Sequence, residues 1–178
     1  MLILTGYLGH KYGQNFPLTI SANIAIEQSY GHIDGDSASM AELCALISAI
    51  AKLPINQGFA ITGSMNQHGE VQSIGGVNEK IEGFYRLCKD KGLTGQQGVI
   101  IPRTNTINLM LAPEIIQAVA DEQFAIYAVD NIDQAIEILM GRSAGEISRT
   151  GRYPRKSIHG LVLDKLSAFS ELINGVEE

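Results

Sequence analysis

The segment 77–88 constrains this chain more than any other, because it reads as a helix with a charge on the wrong face. Val77, Ile81, Phe84 and Cys88 recur at the i, i+4, i+7, i+11 spacing of one apolar stripe. Glu79, Glu82, Arg86, Lys89 and Asp90 fall on the opposite side. Lys80 falls on the apolar side, beside Val77, Phe84 and Leu87. Burying an ammonium is costly unless it is paired or sheds its proton, and a neutral amine is a general base. The ordinary alternative is a lysine whose stem covers apolar surface while its head reaches water.

A second segment bears on that choice. Asp34-Gly35-Asp36-Ser37-Ala38-Ser39 leads into a helical pattern over 38–52, with Met40, Leu43, Cys44, Ile47 and Ile50 as its apolar stripe. Ser37 stands at or just before the first turn, where free N–H groups and the positive end of the helix dipole are found. A serine there can attack a carbonyl while neighbouring N–H groups receive the oxyanion. The ordinary alternative is that Asp36 or Ser37 is an N-cap.

The order of the motifs adds to this. Gly35-Asp36-Ser37-Ala38-Ser39 is followed by Ala60-Ile61-Thr62-Gly63-Ser64, then Gly69-Glu70-Val71, then Ile74-Gly75-Gly76-Val77-Asn78-Glu79-Lys80-Ile81. Leu4-Thr5-Gly6-Tyr7-Leu8-Gly9 stands upstream and Gly98-Val99-Ile100-Ile101-Pro102 downstream. This series resembles the proteolytic domain of the Lon proteases, serine peptidases with a Ser-Lys dyad, over roughly residues 2–140. The Gly-Asp-Ser-Ala-Ser form, with Asp36 before the serine, is more similar to the B-type branch.

The resemblance implies a Lon proteolytic-domain fold, an α/β (α+β) arrangement of mixed sheets with packed helices. It places the nucleophile on Ser37 and the general base on Lys80. Thr62 matches a threonine that the family sets close to its lysine; its ordinary role is that of a β-branched strand residue. Asp34 matches an acidic residue that can pair with the lysine and hold the site at rest, although a turn-forming Asp in Asp34-Gly35 is common. Asp36 and Glu27 complete the supporting candidates. Polypeptides are the implied substrates, read largely through their backbone, and a homo-oligomer, a ring of six, is the implied assembly. ATP and Mg are expected only on an ATPase module upstream. No G-x-x-x-x-G-K-[ST] loop occurs in these 178 residues, so the chain is expected to be a fragment cut to the peptidase domain, itself carrying no cofactor.

Composition excludes several other classes. A net charge of −6 and the absence of a basic stripe argue against a nucleic-acid surface; Arg149, Arg152, Arg155 and Lys156 form the one basic cluster. No apolar run approaches a membrane span and no signal peptide is visible, so a cytoplasmic location is expected. Cys44 and Cys88 both fall on apolar helix faces and are read as reduced core residues, with a disulfide between them the lesser alternative. His10, His32, His68 and His159 show no metal-ligand spacing. Ser39 and Ser64 are rival serines, the first inside a helical turn and the second at a variable position of the family pattern.

The remaining elements alternate between strand and helix. Residues 1–5 read as a strand, and 18–26 as a half-buried strand from the alternation of Leu18, Ile20, Ala22, Ile24 and Ile26. Residues 59–65 and 70–74 read as a hairpin around Asn66-Gln67-His68-Gly69. A strand at 98–101, a helix at 113–121, a strand at 124–129 and a helix at 132–140 capped by Asp130 or Asn131 follow. The peptidase domain is thus expected over 1–142, a polar linker over 143–160 and a helical tail over 161–178. Two competing functions remain. An inactive or regulatory interaction domain could retain the fold, but such a copy is expected to lose the serine or the lysine, and both stand. A phosphoryl-transfer enzyme needs a glycine-rich loop, whereas Asp34 and Asp36 flank the single Gly35 and repel phosphate.

Overall fold

The computed structural model describes residues 2–14, 16–25 and 35–174. Its centre is a three-stranded parallel sheet of β1 (Phe59–Ile61), β4 (Gly98–Pro102) and β5 (Ala125–Val129), with β4 in the middle. Phe59 is in register with Gly98, and Ile100 with Tyr127. A separate antiparallel hairpin pairs β2 (Ser64–Met65) with β3 (Val71–Gln72).

β4 is buried along its whole length, which is why it reads as a continuous apolar run rather than an alternating one. Its side chains nevertheless divide by the period of two. Val99 and Ile101 join a core with Val77, Ile81 and Tyr85 of α3 (Val77–Lys91) and Ile115 of α4 (Pro113–Ala120). Ile100 points to the other core, built from α1 (Leu2–Tyr12), α2 (Ser39–Ala51), α5 (Ile132–Met140) and α6 (Ile158–Asn174). The result is helices on both faces of a parallel sheet, an α/β fold.

Several elements match the expected ones closely. The helix at 132–140 keeps its bounds, and Asn131 is its cap, accepting from Gln134 N at 3.1 Å. Others differ. Residues 1–5 were expected to form a strand, but Leu2–Tyr12 is a helix that buries Leu4, Tyr7, Leu8 and Tyr12, a spacing that only helical rotation gathers on one face. The alternation of 18–26 does not make a strand: among the described residues, 17–25 lies outside both sheets, and Ile26 is outside the described residues. The stretch 59–65 is not one strand of a hairpin. It breaks at Thr62-Gly63, where the chain leaves the parallel sheet and enters the hairpin. A 3-10 helix at Arg103–Asn108 was not expected.

α6 starts at Ile158 and packs on α2, with Ile158, Val162 and Leu166 in the same core as Leu43 and Ile47. It is also tied by polar groups. His159 is fully buried; its Nδ1 lies 2.7 Å from Tyr12 Oη, and its Nε2 lies 3.0 Å from Asp133 Oδ1, an ion-pair distance without a hydrogen bond's alignment. Lys11 Nζ donates to Asp133 Oδ2 at 2.8 Å. Burial pushes the Asp133 carboxyl up, but its contacts with His159 and Lys11 outweigh this and hold it at about 2. The two cysteines are free and lie in different cores; burial pushes the Cys44 thiol up to about 12. No described helix is long and apolar enough to cross a membrane.

Candidate functional site

Three pieces of chain separated in sequence meet at the break between β1 and β2. The first is the loop that enters α2. It lies along residues 62–65 and is stitched to them: Gly63 N donates to Ser37 O at 2.9 Å, Met40 N to Gly63 O at 3.3 Å, and Met65 N to Ser39 Oγ at 3.2 Å. Gly63 is required here, because a Cβ at this position would overlap the Met40 sulfur, and Met40 is fully buried. The third piece is the first turn of α3. Gly76 precedes it with φ +69, a left-handed conformation that glycine adopts without penalty.

Lys80 rises from that turn and reaches the loop. Its Nζ lies 3.0 Å from Ser37 Oγ and 3.3 Å from Thr62 Oγ1. The Thr62 hydroxyl in turn donates to Ser37 O at 3.4 Å. Thr62 therefore touches both partners of the pair, one through its hydroxyl oxygen and the other through its hydroxyl proton. The backbone N–H groups of Ser37 and Ala38 donate to no acceptor among the described residues. They stand ahead of the first turn of α2, where the helix dipole favours negative charge.

Lys80 is not buried, contrary to the sequence reading. The buried stripe of α3 is Val77, Ile81, Tyr85 and Cys88, with Phe84 only half-buried and Leu87 exposed. The stripe is rotated toward Tyr85, which leaves Lys80 at the solvent edge, where its head meets Ser37. The capping role of Asp36 or Ser37 does not hold either. No side chain caps α2, whose N-cap position is Ala38. The Asp36 carboxylate instead accepts from Ser64 Oγ at 2.6 Å. Asp34 and Glu27 lie outside the described residues.

Asn105 was missed altogether. It lies in the 3-10 helix, is 2% exposed, and holds Ile74, the residue before Gly75-Gly76 and the Lys80 helix. No periodic pattern marks this position; its signal is the lone Asn in Arg103-Thr104-Asn105-Thr106, which a turn would equally explain. Among the described residues, no group of three or more His, Cys, Asp or Glu side chains is placed to hold a metal ion. An apolar groove of about 260 Å³ is bounded by Leu4, Leu8, Leu18, Ile20 and Leu46; neither Ser37 nor Lys80 lines it.

Comparison with known families matches residues 10–142 to the Lon protease (S16) C-terminal proteolytic domain. The chain belongs to this family. The match starts at residue 10, so the upstream Leu4–Gly9 block falls outside it. Among its relatives, a Lon protease homolog of Haemophilus influenzae is 55% identical over 142 residues, which is 80% of this chain and 24% of the relative. A Lon protease homolog of Escherichia coli K12 is 49% identical over 140 residues, 79% of this chain and 24% of the relative. An archaeal Lon protease of Thermococcus kodakarensis is 39% identical over 113 residues, 64% of this chain and 16% of the relative. The chain thus spans about a quarter of the length of these bacterial Lon homologs.

Proposed function

We propose that this chain is a serine endopeptidase in which Ser37 is the nucleophile and Lys80 the general base. The observation that carries this reading is the 3.0 Å separation of Lys80 Nζ and Ser37 Oγ, between residues 43 positions apart. As an ammonium, Lys80 donates to Ser37. Unprotonated, the same nitrogen accepts the Oγ proton as Oγ attacks a peptide carbonyl. The oxyanion is received by the N–H groups of Ser37 and Ala38, which have no other acceptor among the described residues. Lys80 then protonates the leaving amine, and water, giving its proton to the same nitrogen, hydrolyses the acyl-enzyme. A dyad has no carboxylate to orient its base. Thr62 takes that part, because its hydroxyl touches Lys80 and the carbonyl of Ser37 at once.

The wider role follows from the family. The substrates are polypeptides of the cytoplasm, and the working assembly is a ring of six whose chamber confines the serines. Such a ring closes by heterologous contacts. ATP and Mg act on a separate module that delivers substrate, and no step of the bond cleavage passes through them. Support for a further module comes from the relatives, of which this chain covers 24%.

The test is direct. A fluorophosphonate probe modifies Ser37, mapped by mass spectrometry, and Ser37→Ala removes both labelling and cleavage of an unfolded polypeptide. Labelling of Ser39 or Ser64 with Ser37 untouched overturns the assignment. Sedimentation across a range of concentrations tests the ring, which predicts association as concentration rises.

A further inference from the structure

We infer that Ser64 is a positioning residue for the nucleophile: its buried hydroxyl holds the Asp36 carboxylate and so fixes the peptide that carries Ser37. This rests on the dyad reading above and names a residue that acts through the loop rather than on the substrate.

Ser64 is 2% exposed, whereas Asp36 is exposed. Their contact joins residues 28 positions apart at 2.6 Å. That is an ordinary distance for a hydroxyl donating to a carboxylate, a charge-assisted bond shorter than most neutral ones. A serine hydroxyl has one proton to give. Gln72 Oε1 is also near, but at 3.4 Å, so the proton belongs to Asp36. The Ser64 side chain therefore has a fixed direction, set by burial at one end and by a charged acceptor at the other.

The need for this tie lies just upstream. Gly35 enters the loop at φ +101, and no described residue stands within 4 Å of the position a Cβ would take. A glycine in this left-handed region gives the chain a pivot immediately before Asp36. Downstream of Ser37 the loop is held by Ser39 Oγ, which accepts from Met65 N, and by Met40 N, which donates to Gly63 O. Upstream of Ser37 the corresponding tie is Asp36 to Ser64. With both ends held against 62–65, the Ser37 backbone is placed so that its hydroxyl reaches Lys80 at 3.0 Å. With the upstream end released, the Gly35 pivot lets the peptide swing, and the alignment of Oγ with the amine and with its own N–H groups is lost. A misplacement of an ångström at a reacting atom can cost about 100-fold in rate. Ser39 and Ser64, which the sequence offers as rival nucleophiles, thus join Thr62 in holding the loop that carries Ser37.

The experiment measures fluorophosphonate labelling at Ser37 and the kcat and KM of polypeptide cleavage. It uses wild type, Ser64→Ala, Asp36→Ala and the double variant, each normalised to its folded fraction. Each single variant is expected to lower both the labelling rate and kcat by about 10-fold or more, with KM little changed. The double variant is expected to be no slower than the slower single one, because both remove one contact. Wild-type labelling at Ser37 together with full-rate labelling of the single variants overturns the inference while leaving the dyad intact. So do losses that multiply in the double variant. If Ser64→Ala does not fold, Asp36→Ala decides alone, since Asp36 is exposed and its truncation empties no core. Failure of wild type to label at Ser37 is the separate failure of the dyad reading, and the inference falls with it.

Discussion

Asn105 and Ile74 exchange two hydrogen bonds: Ile74 N donates to Asn105 Oδ1 at 3.0 Å, and Asn105 Nδ2 donates to Ile74 O at 2.9 Å. The side-chain amide acts here as a strand would, satisfying both backbone groups of a residue outside either sheet. It fixes the chain just ahead of Gly75-Gly76, so the direction in which α3 leaves, and with it the reach of Lys80, depends on a residue 25 positions downstream of that lysine.

Asn105→Ala leaves both Ile74 groups without that partner in a half-buried setting. The expected cost is about 1–3 kcal/mol, read as a fall in Tm of about 3–10 °C for a chain of this size. Labelling at Ser37 is expected to slow as well, at temperatures where the variant remains folded. Asn105→Asp keeps the acceptor but sets a buried carboxylate oxygen against the Ile74 carbonyl, so at neutral pH it is expected to cost at least as much as Asn105→Ala. Thermal unfolding followed by circular dichroism, alongside labelling at 20 °C, checks both parts.

Removing either dyad member is expected to end the chemistry without ending the fold. Ser37 and Lys80 are partly or fully solvent-exposed, so neither truncation opens a cavity. Ser37→Ala and Lys80→Ala should each lower the cleavage rate by on the order of 10⁴-fold, with the double variant no worse, because the two act as a unit. Lys80→Arg should not restore activity. A guanidinium keeps its proton at any working pH and cannot serve as the base. An active Lys80→Arg enzyme would remove Lys80 from the role of base.

Thr62 offers a graded test. Thr62→Val keeps the shape and removes the hydroxyl that joins Lys80 to the Ser37 carbonyl. A loss of about 10-fold in kcat is expected, the cost of one positioning hydrogen bond. Thr62→Ser retains the hydroxyl and is expected to keep most of the rate. A Thr62→Val rate as high as that of Thr62→Ser would show that the hydroxyl does not set the rate.

Much of the site was legible because it is written in local signals. The break at Gly75-Gly76, the helix after it and the helix after Ser37 all follow from periodicity and turn chemistry. The family motifs then linked Ser37, Thr62 and Lys80, which periodicity could not do. The parts that failed depend on tertiary packing. Lys80 sits one helical step from the buried stripe, and although Phe84 and Tyr85 both lie against Phe124, with ring centroids 6.3 and 5.3 Å away, it is Tyr85 that is buried. Leu2–Tyr12 mixes β-prone residues with two glycines, so its local preference is poor; burial of Tyr7 and Tyr12 decides for helix. Asp36 was readable as a cap because the sequence gives no sign that Ser64 lies beside it. Neither of these serines announces its bond to a segment more than twenty residues away.

Asp133 gives a prediction for acid stability. Its carboxyl titrates near 2 in the folded protein because His159 and Lys11 outweigh the effect of burial, against about 3.9 for a free aspartate. A group whose folded value is depressed contributes stability that is fully present above its unfolded value and is lost as pH falls through the folded one. The window is therefore from about pH 4 down to about pH 2. A fully enclosed group shifted this far would contribute about 2.5 kcal/mol, but the Asp133 side chain is 35% exposed, so solvent screening reduces the expected contribution to on the order of 1 kcal/mol. Asp133→Asn removes the charge and keeps the shape. Wild type should exceed this variant in Tm at pH 6, and the difference should close between pH 4 and pH 2. Because the carboxylate lies between Lys11 of α1 and His159 of α6, the variant should also loosen those two helices first, seen as faster amide exchange there than in β4. A Tm difference that persists unchanged at pH 2 would mean that shape and packing, rather than the charge, account for what Asp133 contributes.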